Sequence, residues 1–164
     1  MELRFAPRGI VEMDDARIIF RNFRGEGSTF NREGDRNFAV VIPDELADDL
    51  KNDVNRDGVG WNVKIRQPNS PDYDPYYYLP VKVKFNDYGP IIKLIVNGRQ
   101  VDITKDTVGQ LDLIDIARVD LDIRPYDDVI NGRPFRAAYL QKMYITQRVD
   151  RLQERYADSE YPQE

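Results

Sequence analysis

Residues 79–85 alternate in polarity, with Leu79, Val81, Val83 and Phe85 on one side and Pro80, Lys82 and Lys84 on the other. Period two is the mark of a strand with one face buried, so this stretch predicts a strand, starting at Tyr76, with a basic outer face. Similar runs predict strands over residues 16–24, 36–42, 61–66, 91–96, 101–104, 116–125 and 136–145. Asn97-Gly98 and Asn131-Gly132 separate consecutive runs, and both residue types tolerate positive φ, so each marks a hairpin turn. Gly25-Glu26-Gly27-Ser28 opens a loop after the first of these strands, and residues 67–75, with Pro68, Pro71 and Pro75, form another.

Helical spacing is rarer. Pro43 sits where a first helical residue is favoured, and Leu46, Ala47 and Leu50 form an apolar stripe on an acidic helix that ends near 52–53. Thr104 can cap a short helix over 106–113, with Asp106 near its positive end. Ile145, Val149, Leu152 and Tyr156 predict an amphipathic C-terminal helix. Residues 1–14, with Pro7, Gly9 and no clear period, read as a loosely attached arm. About seven strands joined by turn signals, with few helices, indicate a mainly β chain. An OB-like five-stranded barrel with extra strands and hairpins, one inserted helix and a C-terminal amphipathic helix suits this pattern. With no internal repeat or linker, the expected organisation is a single domain over 1–157, its arm at 1–14, and a short acidic tail at 158–164.

Composition narrows the chemistry. The chain of 164 residues has no apolar run approaching a bilayer span and no early apolar segment of a secretory signal, so an intracellular, cytoplasmic location without membrane contact is expected. It contains no cysteine and no histidine, which removes disulfides, thiolate or imidazole metal sites and histidine bases. The net charge of -5 is unevenly placed: residues 43–53 carry -4 and residues 158–164 carry -3, leaving +2 on the remainder. A basic face is therefore compatible with an acidic protein.

On the predicted strands, rings and cations recur together. Phe20, Arg21, Phe23 and Arg24 lie in one run; Arg36, Lys64 and Arg66 precede Tyr77, Lys82 and Lys84; and Arg136, Tyr139 and Lys142 lie in the last. A single nucleic-acid strand offers base faces that stack on rings and phosphates that pair with Lys or Arg, so these residues are the candidate nucleic-acid contacts. Core packing is the competing reading for any one ring, and most strongly for Trp61. Of Tyr76, Tyr77 and Tyr78, at least one must face outward, because neighbouring strand residues point to opposite faces. Asp120 and Asp122 project from one strand face and could hold Mg2+, which keeps a metal-dependent DNA-processing enzyme as an alternative. A structural or regulatory protein with all its rings in the core is another.

Several short segments, in order, carry a resemblance: Phe20-Arg21-Asn22-Phe23 before Gly25, Arg36-Asn37-Phe38, Gly60-Trp61-Asn62-Val63-Lys64, Leu111-Asp112, Val119-Asp120, Arg124-Pro125-Tyr126, Ala138-Tyr139-Leu140 and Met143-Tyr144-Ile145. With them the chain resembles phage-encoded single-stranded-DNA-binding proteins of the OB-fold type. The resemblance implies a non-catalytic protein, needing no cofactor, that coats single-stranded DNA without sequence preference during phage replication or recombination in the host cytoplasm. Phage or host replication and recombination proteins, and a second copy in a homodimer, are the further partners it admits. One departure stands out: the acidic end has Tyr161 but lacks the terminal Phe through which related tails dock.

Overall fold

Alternation becomes strand wherever one set of side chains can leave water, and here both sets are traceable. A computed structural model describes residues 1–150 and Leu152. In chain order its strands are β1 (Glu2–Phe5), β2 (Val11–Asp14), β3 (Ile18–Asn22), β4 (Arg36–Ile42), β5 (Lys64–Arg66), β6 (Tyr76–Val83), β7 (Ile91–Val96), β8 (Arg99–Ile103), β9 (Ile116–Ile130) and β10 (Arg133–Gln147). Among the described residues the helix α1 (Asp44–Asn52) follows β4, and short 3-10 turns occupy Pro7–Gly9 and Val108–Asp112.

Five strands set the architecture. They lie in the order β9-β10-β6-β4-β3, and all neighbours are antiparallel except β10 and β6, which run parallel. This mainly β, OB-like sheet is open along β3. The Ala16 N–H donates to the Val119 carbonyl at 2.8 Å, tying the chain ahead of β3 to β9. Its buried residues form one apolar cluster that includes Val40, Leu79, Val81, Val119, Ile123, Leu140 and Met143. A single sheet that shares one core must curl around it. The extra strands extend this frame: β1 and β2 form a hairpin on β9, β5 adds to β6, and the β7–β8 hairpin lies against β10.

The N-terminal residues depart from expectation. They do not form a loose arm, because Val11 and Met13 are fully buried and β2 pairs with β9 from Val11↔Ile123 to Met13↔Leu121. The strand is too short for its period to show in sequence. The expected strand over 61–66 is confined to β5, because Trp61 turns into the core as the chain passes over the end of α1. Gly60 makes that crossing feasible: a Cβ there would lie 2.1 Å from the Lys51 carbonyl oxygen. The helix expected over 106–113 is only the 3-10 turn Val108–Asp112. The C-terminal amphipathic helix and the tail at 158–164 fall outside the described residues, apart from Leu152.

Beyond Asn22 the chain dives inward. The Asp112 carboxylate accepts the Phe23 and Arg24 N–H groups at 2.7 and 3.1 Å, and the Phe23 ring stacks on Phe38 with centroids 5.1 Å apart. Phe23 is fully buried, so its expected role as a base platform is overturned. Replacing Phe23 by Ala should cost about 3–5 kcal/mol of stability, read as a lower urea midpoint. An unchanged midpoint would contradict this placement.

Candidate nucleic-acid interface

The buried residues of β6 are Leu79, Val81 and Val83, so Tyr76, Tyr78, Pro80 and Lys82 share the opposite, outer face. Cross-strand register extends that face. Lys82 lies opposite Asn37 on β4 and Tyr139 on β10, and Tyr139 lies opposite Arg124 on β9. Arg66 and Lys64 on β5 face Tyr76 and Tyr78. The outer face of β5, β6, β10 and β9 is thus a continuous strip of rings and cations.

Two ring clusters stand on it. In the first, Phe20 meets Tyr78 edge to face at 5.5 Å, Tyr76 lies 6.4 Å from Tyr78, and the Arg66 guanidinium sits 5.7 Å from the Phe20 ring. Phe20 reaches this position through a bulge between Ile19 and Asn22, where its own φ is +54°. A bulky residue rarely adopts that angle, and the bulge re-aims the side chain onto the strip. In the second cluster, Tyr126 stacks on Tyr139 at 4.9 Å and 6°, and Phe135 lies 6.4 Å from Tyr126. Arg124 and Lys84 stand 4.9 and 5.8 Å from the Tyr139 ring. Tyr126 donates its hydroxyl to Asp128 at 3.1 Å, and this hydrogen bond raises the phenol's pKa. A gap of about 490 Å³, lined by Trp61, Pro80, Lys82 and Phe135, lies on the same face.

The strip has an acidic border. Lower on β9, Asp122 lies opposite Glu12 and Lys142, and burial followed by Glu12 raises its carboxyl pKa. Burial also raises that of Asp120, but the Asp15 N–H at 2.9 Å and Arg118 at 3.1 Å outweigh it and leave it lowered. Asp120 is therefore already engaged. Among the described residues, no group of three or more Asp or Glu is placed to hold a metal ion.

Of the candidates read from sequence, Phe20, Lys64, Arg66, Lys82, Lys84 and Tyr139 come together on this face. Arg36 lies beside it, 5.8 Å from the Phe85 ring. Lys142 stands apart, over Tyr144 at 5.4 Å and next to the acidic border. Arg24 is half exposed but 3.5 Å from Asp112. Three others are committed elsewhere. Arg21 donates to the Leu111 and Ile114 carbonyls, both at 2.8 Å, pinning the chain around the 3-10 turn. Tyr77 packs against the core, with the Lys51 ammonium 4.7 Å from its ring.

Arg136 is a buried structural charge, its side chain only 8% exposed. It donates to both Asp127 oxygens at 2.8 and 3.1 Å and to the Asp53 carbonyl at 2.9 Å, and its guanidinium lies 5.1 Å from the Trp61 ring. Tyr78, Arg124, Tyr126 and Phe135 also stand on this face, although they were not among the candidate contacts read from the sequence. Alternation carried to the ends of β6, β9 and β10 would have put them outward.

The sequence family described as "Putative phage ssDNA-binding domain" matches residues 4–164. Solved structures that share the fold at low identity include three of a single phage protein. The single-stranded DNA-binding protein from bacteriophage Enc34 in complex with ssDNA matches with TM-score 0.55 and 12% identity over 90% of this chain and 92% of that one. A C-terminal truncation of the Enc34 protein gives TM-score 0.53 and 11% identity over 90% and 91%. Another structure of the Enc34 protein gives 0.52 and 11% over 92% of each. No curated protein matches this chain.

The Arg136 hydrogen bond holds the Asp127 carboxyl below its ordinary pKa, against the upward push of burial. A carboxyl lowered on folding adds stability that is present above its unfolded value and lost as pH falls through the folded one. The difference in Tm between the parent and Asp127→Asn should be largest above about pH 4 and shrink below it. A difference independent of pH would contradict the pairing.

Proposed function

The chain belongs to the phage single-stranded-DNA-binding domain family, and we propose that it coats single-stranded DNA without sequence preference and without catalysis, through the outer strip of β5, β6, β10 and β9. The observation that supports this most is the joining of two ring clusters by Lys82, with Arg66, Arg124 and Lys84 beside the rings. Rings stack on any base and the cations pair with any phosphate, so this surface has little means of reading sequence. The fold likeness to the Enc34 protein solved in complex with ssDNA supports single-stranded DNA as the ligand.

In this reading the protein protects strands exposed during phage replication or recombination, in the host cytoplasm. No helix among the described residues is long and apolar enough to cross a membrane. Protein partners from the phage or host, and a homodimer, belong to the same proposal.

Fluorescence titration with oligo-dT tests it. If Arg66, Lys82, Lys84 and Arg124 each neutralise one phosphate, log affinity should fall against log salt with a slope of about -3. A flat salt dependence would remove the cations from the interface. Oligo-dC and oligo-dA should bind within a few-fold of oligo-dT once base stacking in the free strand is allowed for.

Phe20→Ala and Tyr126→Ala should each weaken binding by about 1–3 kcal/mol while keeping the salt slope and the parent's melting temperature. Parent-like affinity in both would place the bases elsewhere.

A further inference from the structure

Beyond Lys82 the strip opens into a cavity of about 560 Å³ between residues 30–37, a loop running into the start of β4, and the end of β6. Five cations line it: Arg32, Arg36, Lys82, Lys84 and Lys105. Among the described residues its one lining carboxylate, Asp35, lies 3.7 Å from Arg32. Lys105 arrives from the segment after β8, so this convergence is not a by-product of one alternating strand. Among the described residues, the Arg36 Nε is buried and has no hydrogen-bond partner. Phe30, 98% exposed, and Phe85 supply ring walls.

The loop wall is held in place. Asn37 donates its amide to the Asn31 Oδ1 at 2.8 Å, and Asn31 donates to the Glu26 and Asp35 carbonyls at 2.9 and 3.0 Å. Gly34, at φ +93°, donates its N–H to the Gly25 carbonyl at 2.8 Å. A pocket of this size and rigidity suits one small ligand.

We propose that this cavity binds a phosphate monoester, supplied either by the phosphorylated end of a DNA strand or by a free mononucleotide. An internal phosphodiester carries one negative charge, whereas a monoester carries about -1.5 to -2 at pH 7 and three strong acceptor oxygens. The surplus of cations over carboxylates in the lining fits the greater charge and the extra acceptors. Only the strand-end source rests on the single-strand-binding reading.

The test compares oligo-dT carrying a 5′-phosphate, a 3′-phosphate or hydroxyls at both ends, alongside titration of thymidine monophosphate and thymidine followed by amide NMR shifts. One phosphorylated end should bind about three- to ten-fold tighter at pH 7.5, with the preference fading toward pH 5.5 as the monoester takes up its second proton near pH 6. The cavity's charged lining is Arg32, Asp35, Arg36, Lys82, Lys84 and Lys105. The chain has no histidine, the side chain that ordinarily titrates in that window, so the phosphate is the group that changes charge.

Lys105→Gln, at an exposed position, should reduce the end preference while leaving hydroxyl-ended oligo-dT unaffected. Shifts at residues 30–37 from the monophosphate alone, without an end preference, would support the mononucleotide source. No end preference together with no shifts from the monophosphate would overturn the proposal, as would a preference that ignores pH or the Lys105 change. Failure of hydroxyl-ended oligo-dT to bind would instead refute the strand-binding reading, and the monophosphate titration would still decide the cavity.

Discussion

The candidate interface depends on how one buried guanidinium is satisfied. Arg136 sits on β10 near where the β9–β10 hairpin leaves the sheet, and it reaches Asp127 on β9, the Asp53 carbonyl at the end of α1, and the Trp61 ring. A charge at that depth is tolerated only when fully paired, and losing one partner of such a pair costs about 3–5 kcal/mol. The requirement fixes the hairpin against the α1–β5 connection. Trp61 is bound into the same knot, donating its indole N–H to Asp53 at 2.8 Å. With the inner side of the hairpin locked in this way, its outer side presents Tyr126, Phe135 and Tyr139 beside the β6 rings.

Charge follows the same geometry. Carboxylates gather on α1, and Glu12, Asp120 and Asp122 border the strip from below. The net charge of the chain is therefore a poor guide to its interface. A phosphate backbone following the strip would meet Arg66, Lys82, Lys84 and Arg124 and be turned away from the β2–β9 border. The bulge at Phe20 and the parallel contact of β6 with β10 together make one surface from residues far apart in the chain.

Much of the frame was legible because it rests on local rules. The alternation in β6 and the Asn-Gly turns depend on neighbours in sequence, and the structure has strands and turns at those places. Tertiary overrides hid the rest. Phe23 looks like the continuation of β3, yet the Asp112 carboxylate, distant in sequence, captures its N–H and sends the ring inward. Arg136 matches a phosphate contact by type, and only the approach of Asp127 and Asp53 shows that its donors are spent. β2 is four residues long, too short to display a period before its partner β9 is known.

Backbone NMR during titration with a short oligo-dT tests most directly whether the outer strip is the DNA-binding face. The largest amide shifts are expected at Phe20, Tyr78, Lys82, Arg124 and Tyr139, with β1 and β8 unmoved. Shifts concentrated on β1, β8 or the acidic face of α1, with the strip silent, would contradict it.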